Sequence, residues 1–186
     1  GVDELAEKLG ELNVAHKYND DEGILEENSL YKSIKVPFAF NYVDASVEYV
    51  DHNRDSQTDH GSHVAGIAAA NRYVRNSDGG FDNALTSCKV VGNAPDAQLL
   101  VMKVFGMSGG GTDSDIVAAI EDAIMLGADS VNMSLGNSMP YFTAHSAYTK
   151  AYELLKDTDT VMVVAAGNEG AWPDYANTEA QLGGGS

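Results

Sequence analysis

Apolar and polar positions along the chain fall into blocks that predict an acidic opening followed by alternating strands and helices. Residues 1–35 are polar and acidic, with only a short helical spacing of Leu5, Leu9 and Leu12 and a turn signal in DDEG at 20–23. This stretch is expected to cover a surface. At Val36 the pattern changes to VPFAFNYVD, an aromatic extended segment bounded by Pro37, and DHNRDSQTD at 51–59 follows as a polar loop. From His60 onward, Val64, Ile67 and Ala68 form a stripe backed by Ala65, Gly66, Ala69 and Ala70. Such small residues predict a helix packed closely inside a core. Residues 72–93 read as loop, with SDGGFDN at 77–83 as an exposed insertion without chemistry.

The second half alternates. QLLVMKVF at 98–105 reads as a buried strand, GMSGGG as a glycine-rich connection, and TDSDIVAAIEDAIMLG as an amphipathic helix. Thr112 and Asp115 have the spacing of a capping box, Ile116, Ile120, Ala123 and Ile124 form the apolar stripe, and Gly127 suits a left-handed C-terminal cap. ADSVNMSL is a further strand, residues 141–156 a helix carrying Ala144, Ala147, Tyr148, Ala151 and Leu155, and TVMVVAAG at 160–167 a last buried strand. Right-handed crossovers place such strands parallel. The predicted class is therefore α/β, a three-layer arrangement of one mainly parallel sheet with helices on both faces. Ligands of such sheets bind beyond the carboxyl ends of the strands. Three loops, GMSGGG, SLG and GNEG, each follow a predicted strand and should converge there.

Composition narrows the partners. The 186 residues carry 11 Lys plus Arg against 28 Asp plus Glu, a net charge of −17, which repels phosphate backbones and anionic membranes. Nucleic acid is not an expected partner, and no apolar run approaches the ~20 residues of a membrane span. With Cys88 as the single cysteine no internal disulfide can form, which fits many bacterial exported enzymes as well as a cytosolic protein. The charged start, GVDELAEKLGELNV, is not a signal peptide and reads as an excision point.

Three strings carry chemistry: DHGSHVAG at 59–66, VNMSLG at 131–136 and VVAAGNEG at 163–170. In this order they resemble the general-base helix, the substrate-binding strand and the oxyanion-hole turn of the subtilisin-like serine proteases. The resemblance covers roughly residues 36–175, with Ser62 standing where the family more often has threonine. VPFAFNYVD is similar to the large cell-envelope subtilases of Gram-positive bacteria, the lactocepin and C5a peptidase type. The resemblance implies an incomplete subtilisin-like domain over 36–180, preceded by the acidic segment 1–35 and followed by a linker-like tail, QLGGGS, at 181–186.

It also implies roles. His60 is the candidate general base and His63 a packing or hydrogen-bonding residue. Asn168 is the candidate oxyanion donor, since donors aimed at the developing oxyanion are what acyl transfer requires. A polypeptide substrate would add as a strand between Gly109, Gly110 and Gly111 on one side and Ser134, Leu135 and Gly136 on the other. Phe105, Ile116 and Leu135 would line an apolar pocket, although each is an equally ordinary core residue by composition.

Neither a DTG- or DSG-type aspartate motif nor a GTSMA-like serine motif occurs in these 186 residues. The chain alone is expected to hydrolyse nothing at a protease rate, its missing partners being the aspartate- and serine-bearing segments of the same protease. A pseudoprotease or peptide-binding module that keeps the cleft without the chemistry is the alternative. No cofactor is expected, with a structural calcium left open, and the location implied is secreted or at the bacterial cell wall. Two other readings fail on spacing. GMSGGGTD lacks both GxGxxG and GK[ST], and His52, His60 and His63 with Asp51, Asp55 and Asp59 fit neither HExxH nor an EF-hand loop.

Overall fold

A computed structural model describes residues 1–18, 25–51, 55, 57–107, 109–135 and 147–165. They divide into two units, Gly1–Ile116 and Val117–Ser186. Both contain helices and parallel strand pairs, so the α/β class is realised.

In the first unit the aromatic segment forms β1 (Phe38–Asn41), all four residues of which are buried. It pairs in parallel with β4 (Leu100–Lys103), Phe38 opposite Leu100 and Asn41 opposite Lys103, and the Tyr42 amide extends the ladder by donating to Lys103 O at 2.9 Å. Phe40 and Tyr42 meet edge to face with centroids 5.2 Å apart, a favoured aromatic geometry. Among the described residues the short α-helices α1 (Val2–Lys8), α2 (Val14–Lys17) and α3 (Glu27–Leu30) precede β1. This segment does more than cover a surface, since Leu5, Val14 and Leu30 in these helices and Leu12 between them are buried core residues.

The motif helix α4 spans His60–Ala69. It starts at the histidine as the sequence predicts but is not enclosed. Only Ala69 is buried, and Ile67 is 53 % exposed. The alanines and glycine that back the stripe contribute little apolar area per residue and tolerate water as readily as close packing. Its C-terminal carbonyls are satisfied by a returning segment: Gly92, Asn93 and Ala94 donate their amides to Ala70, Ile67 and Ala68 at 2.8–2.9 Å. Glycine is required there, because a Cβ on Gly92 would lie 2.3 Å from the Ala70 nitrogen.

Residues 72–93 are not all loop. β2 (Tyr73–Arg75) and β3 (Phe81–Asn83) form an antiparallel hairpin, followed by α5 (Ala84–Ser87). The Asn76 side chain organises the turn by accepting from the amides of Asp78 and Gly80. Residues 105–110 add a second, two-residue hairpin, β5 (Phe105–Gly106) against β6 (Gly109–Gly110).

α6 (Asp113–Met125) has the ends the sequence predicts. Thr112 donates its amide to the Asp115 carboxylate at 2.8 Å while its hydroxyl accepts from the Asp115 amide, a reciprocal capping box. At the other end Gly127 has φ +77°, and the amides of Gly127 and Ala128 donate to Ile124 O and Ala123 O, the Schellman arrangement.

In the second unit β7 (Ser130–Met133) pairs in parallel with β8 (Val161–Val164), Ser130 opposite Val161 and Met133 opposite Val164. β8 departs from the buried strand predicted: Val161 and Val163 are 59 % and 53 % exposed. The helix predicted over 141–156 is observed as α7, Ala147–Leu155, residues 141–146 lying outside the described residues. Among the described residues the parallel strands form two hydrogen-bonded pairs, β1 with β4 in the first unit and β7 with β8 in the second.

Candidate active site

His60 is the first helical residue of α4, and a tight turn delivers it. The Thr58 amide donates to Asp55 O and the His60 amide to Gln57 O, both at 3.1 Å, with Thr58 at φ +48°. A β-branched residue in the left-handed region is uncommon and strained. Asp59 occupies the N-cap position but makes no capping bond with its side chain. Both His60 and His63 are exposed.

The acceptor for the helix start comes from farther away. Asp51 Oδ2 accepts from the Ser62 amide at 2.8 Å and from the Ser62 hydroxyl at 2.7 Å. Behind it lies Lys103, at the end of β4, with a side chain only 5 % exposed. Its ammonium forms an ion pair with the buried Asp55 carboxylate, donates to Val50 O at 2.9 Å and lies 3.9 Å from Asp51 Oδ1. Pattern alone does not reveal this set, although a lysine inside the apolar run QLLVMKVF signals it: a buried ammonium requires a partner.

Gly109, Gly110 and Gly111 lie on the β5–β6 hairpin and the connection to α6. Gly109 has φ +124°, and Gly111 donates to Val104 O at 2.7 Å, an approach at which its own Cβ would lie 2.9 Å from that oxygen. Phe105, in the same hairpin, is half-buried, and Ile116 is buried. Asp44 pins the hairpin: its carboxylate accepts from the Asn41 amide group at 2.7 Å and the Met107 backbone amide at 3.1 Å.

The first turn of α6, which follows, is held by Asp115. Burial works to raise the Asp115 carboxyl, but hydrogen bonds from the Lys17 ammonium and from the Thr112 amide and hydroxyl outweigh it and hold the group below the usual aspartate value. The N-terminal segment is thereby tied to the chain just beyond the glycines.

Of the remaining candidates, Ser134 and Leu135 follow β7 in the second unit. Both are half-buried, and the Ser134 hydroxyl accepts from the Asn132 side-chain amide at 2.9 Å. Gly136, Asn168 and the tail 181–186 lie outside the described residues. Among the described residues no group of three or more His, Cys, Asp or Glu side chains is arranged to hold a metal ion, and no helix is long and apolar enough to cross a membrane.

Comparison with known proteins matches residues 20–183 to the Subtilase family of peptidases. The PI-type proteinase of Lactococcus lactis subsp. cremoris is 41 % identical over 143 residues, covering 75 % of this chain and 7 % of the relative. Minor extracellular protease Vpr of Bacillus subtilis (strain 168) is 37 % identical over 117 residues, 63 % of this chain and 12 % of the relative. Subtilisin DY of Bacillus licheniformis is 40 % identical over 112 residues, 60 % of this chain and 35 % of the relative. The chain thus spans only a small part of the length of the relatives it matches.

Proposed function

Because this chain belongs to the subtilase family, we propose that it is part of a secreted or cell-surface bacterial serine endopeptidase and contributes that enzyme's general base, oxyanion donor and substrate-binding strands. The observation that carries the reading is the placement of His60, exposed at the first position of a helix whose start is braced by Asp51 and, behind it, by Lys103 of β4. A base must be reachable by the nucleophile's proton while its own position stays fixed.

In this reading a serine outside these 186 residues attacks the scissile carbonyl and His60 takes its proton. The C–N bond then breaks as His60 returns the proton to the leaving amine, and water repeats the sequence on the acyl-enzyme. Asn168 donates to the oxyanion formed in each half. By the family resemblance Gly109, Gly110 and Gly111, and likewise Ser134, Leu135 and Gly136, bind the backbone of the extended polypeptide, and Phe105, Ile116 and Leu135 receive an apolar side chain of it. The chain alone is inactive, because a base without a nucleophile transfers no acyl group.

The extracellular location rests on the net charge of −17 and on relatives of which one is named an extracellular protease. A serine-directed fluorophosphonate tests the assignment. The intact protease should be labelled on one serine and the isolated 186-residue chain on none. Failure to label the intact protein would support a pseudoprotease, and labelling of the isolated chain would contradict its inactivity.

A further inference from the structure

The helix that presents His60 lacks a cap of its own. Asp59 makes no capping bond with its side chain, and the turn before it contains a strained threonine. Unsatisfied first-turn amides fray, and His60, as the first helical residue, would be displaced first. The missing acceptor is supplied by Asp51, eleven residues before Ser62, whose carboxylate takes both the Ser62 amide and hydroxyl. Asp51 is in turn fixed from behind. The Lys103 ammonium at the carboxyl end of β4 reaches Val50 O, Asp55 and Asp51, and side chains 5 % and 2 % exposed at Lys103 and Asp55 leave that contact little freedom. A continuous polar path thus runs from a core strand to the amino end of the histidine helix.

We propose that Asp51 is a positioning residue for His60, acting through Ser62 and braced by Lys103 and Asp55; this rests on His60 being the general base. The role differs from that of the aspartate that orients the imidazole directly. Asp51 fixes the backbone from which the ring projects, so its loss should lower the rate of proton transfer and leave substrate binding alone. Misplacing a catalytic group by about 1 Å costs about 100-fold.

The test uses the intact protease and steady-state hydrolysis of a peptide substrate. Asp51→Ala should lower kcat by roughly 10- to 100-fold with KM within about twofold of the parent. Asp51→Asn, which keeps an acceptor oxygen, should recover most of the loss. At the exposed partner, Ser62→Thr should retain kcat and Ser62→Ala should lower it, a pair that remains informative if Asp51→Ala does not fold. The inference is overturned if Asp51→Ala and Ser62→Ala, shown to be folded, keep the parent kcat. It is equally overturned if kcat and KM deteriorate together in proportion to a fall in thermal midpoint, because that is a structural role only. His60→Ala separates the two levels: full turnover in that variant removes the functional reading and this inference with it, whereas an inactive His60→Ala beside a fully active Asp51→Ala removes the inference alone.

Discussion

The Asp44 carboxylate and the Met107 amide, 63 residues apart, are joined by a 3.1 Å hydrogen bond that fixes the tip of the glycine hairpin against the loop leaving β1. The same carboxylate leaves no room beside Gly106, where a Cβ would fall 2.0 Å from Asp44 Oδ2. Gly106→Ala should therefore force the carboxylate away from Met107 and Asn41 and destabilise the fold by about 1–3 kcal/mol. In an Asp44→Ala background the same substitution should cost much less. A double-mutant cycle on denaturation midpoints checks this, and strictly additive effects would contradict the contact.

Gly92 makes the corresponding prediction for α4. With Ala69 and Ala70 backbone atoms 2.3–2.5 Å from its missing Cβ, Gly92→Ala must move the segment that accommodates the helix's last carbonyls. The expected result is a loss of at least about 2 kcal/mol together with faster hydrogen exchange at the amides of Asn93 and Ala94. Unchanged exchange there would show that the cap is not formed.

The link between Lys17 and Asp115 sets a pH dependence. Asp115 is held below the ordinary aspartate value of about 3.9, so its contribution to stability is present above that value and is lost as pH falls through the lower, folded one. Protection of the Lys17 and Tyr18 amides, corrected for intrinsic exchange, should be flat from pH 7 to about 5 and fall below about pH 4. In Asp115→Asn it should start lower at neutral pH and lose this acid step. An acid step that persists in Asp115→Asn would assign it to another carboxylate.

Elements driven by local chemistry were legible in the sequence. α6 was readable at both ends because Thr112, Asp115 and Gly127 act within one turn of where they stand. The strands at Phe38–Asn41 and Leu100–Lys103 follow from pattern as well, and the histidine start of α4 from the resemblance of DHGSHVAG. What pattern could not supply was pairing at a distance. Lys103 meets Asp55 across 48 residues, and nothing near Lys103 in the chain announces that partner. The enclosure predicted for α4 is not met, with Ile67 53 % exposed, because an apolar stripe does not name the element that covers it and its alanine and glycine neighbours fit a core without demanding one. Ser134 and the Gly109–Gly111 run are assigned to the substrate by resemblance alone, whereas the roles of Asp44 and Asp51, which hold the hairpin and the helix start, come only from the structure.

Asn168, the proposed oxyanion donor, carries a kinetic prediction. Asn168→Ala in the intact protease should lower kcat about 100- to 1,000-fold while KM changes little, because the interaction forms only as the carbonyl oxygen acquires charge. A rise in KM at unchanged kcat would instead make Asn168 a ground-state binding residue.

The two histidines of DHGSHVAG are both exposed on α4, and only one of them is assigned to chemistry. Turnover of a peptide substrate by His60→Ala and His63→Ala variants of the intact protease measures that assignment without intermediaries. A fall of about 10⁴-fold or more in kcat for His60→Ala, with His63→Ala within about tenfold of the parent, is the expected result. Near-normal turnover by His60→Ala, or the two effects reversed, would contradict the account.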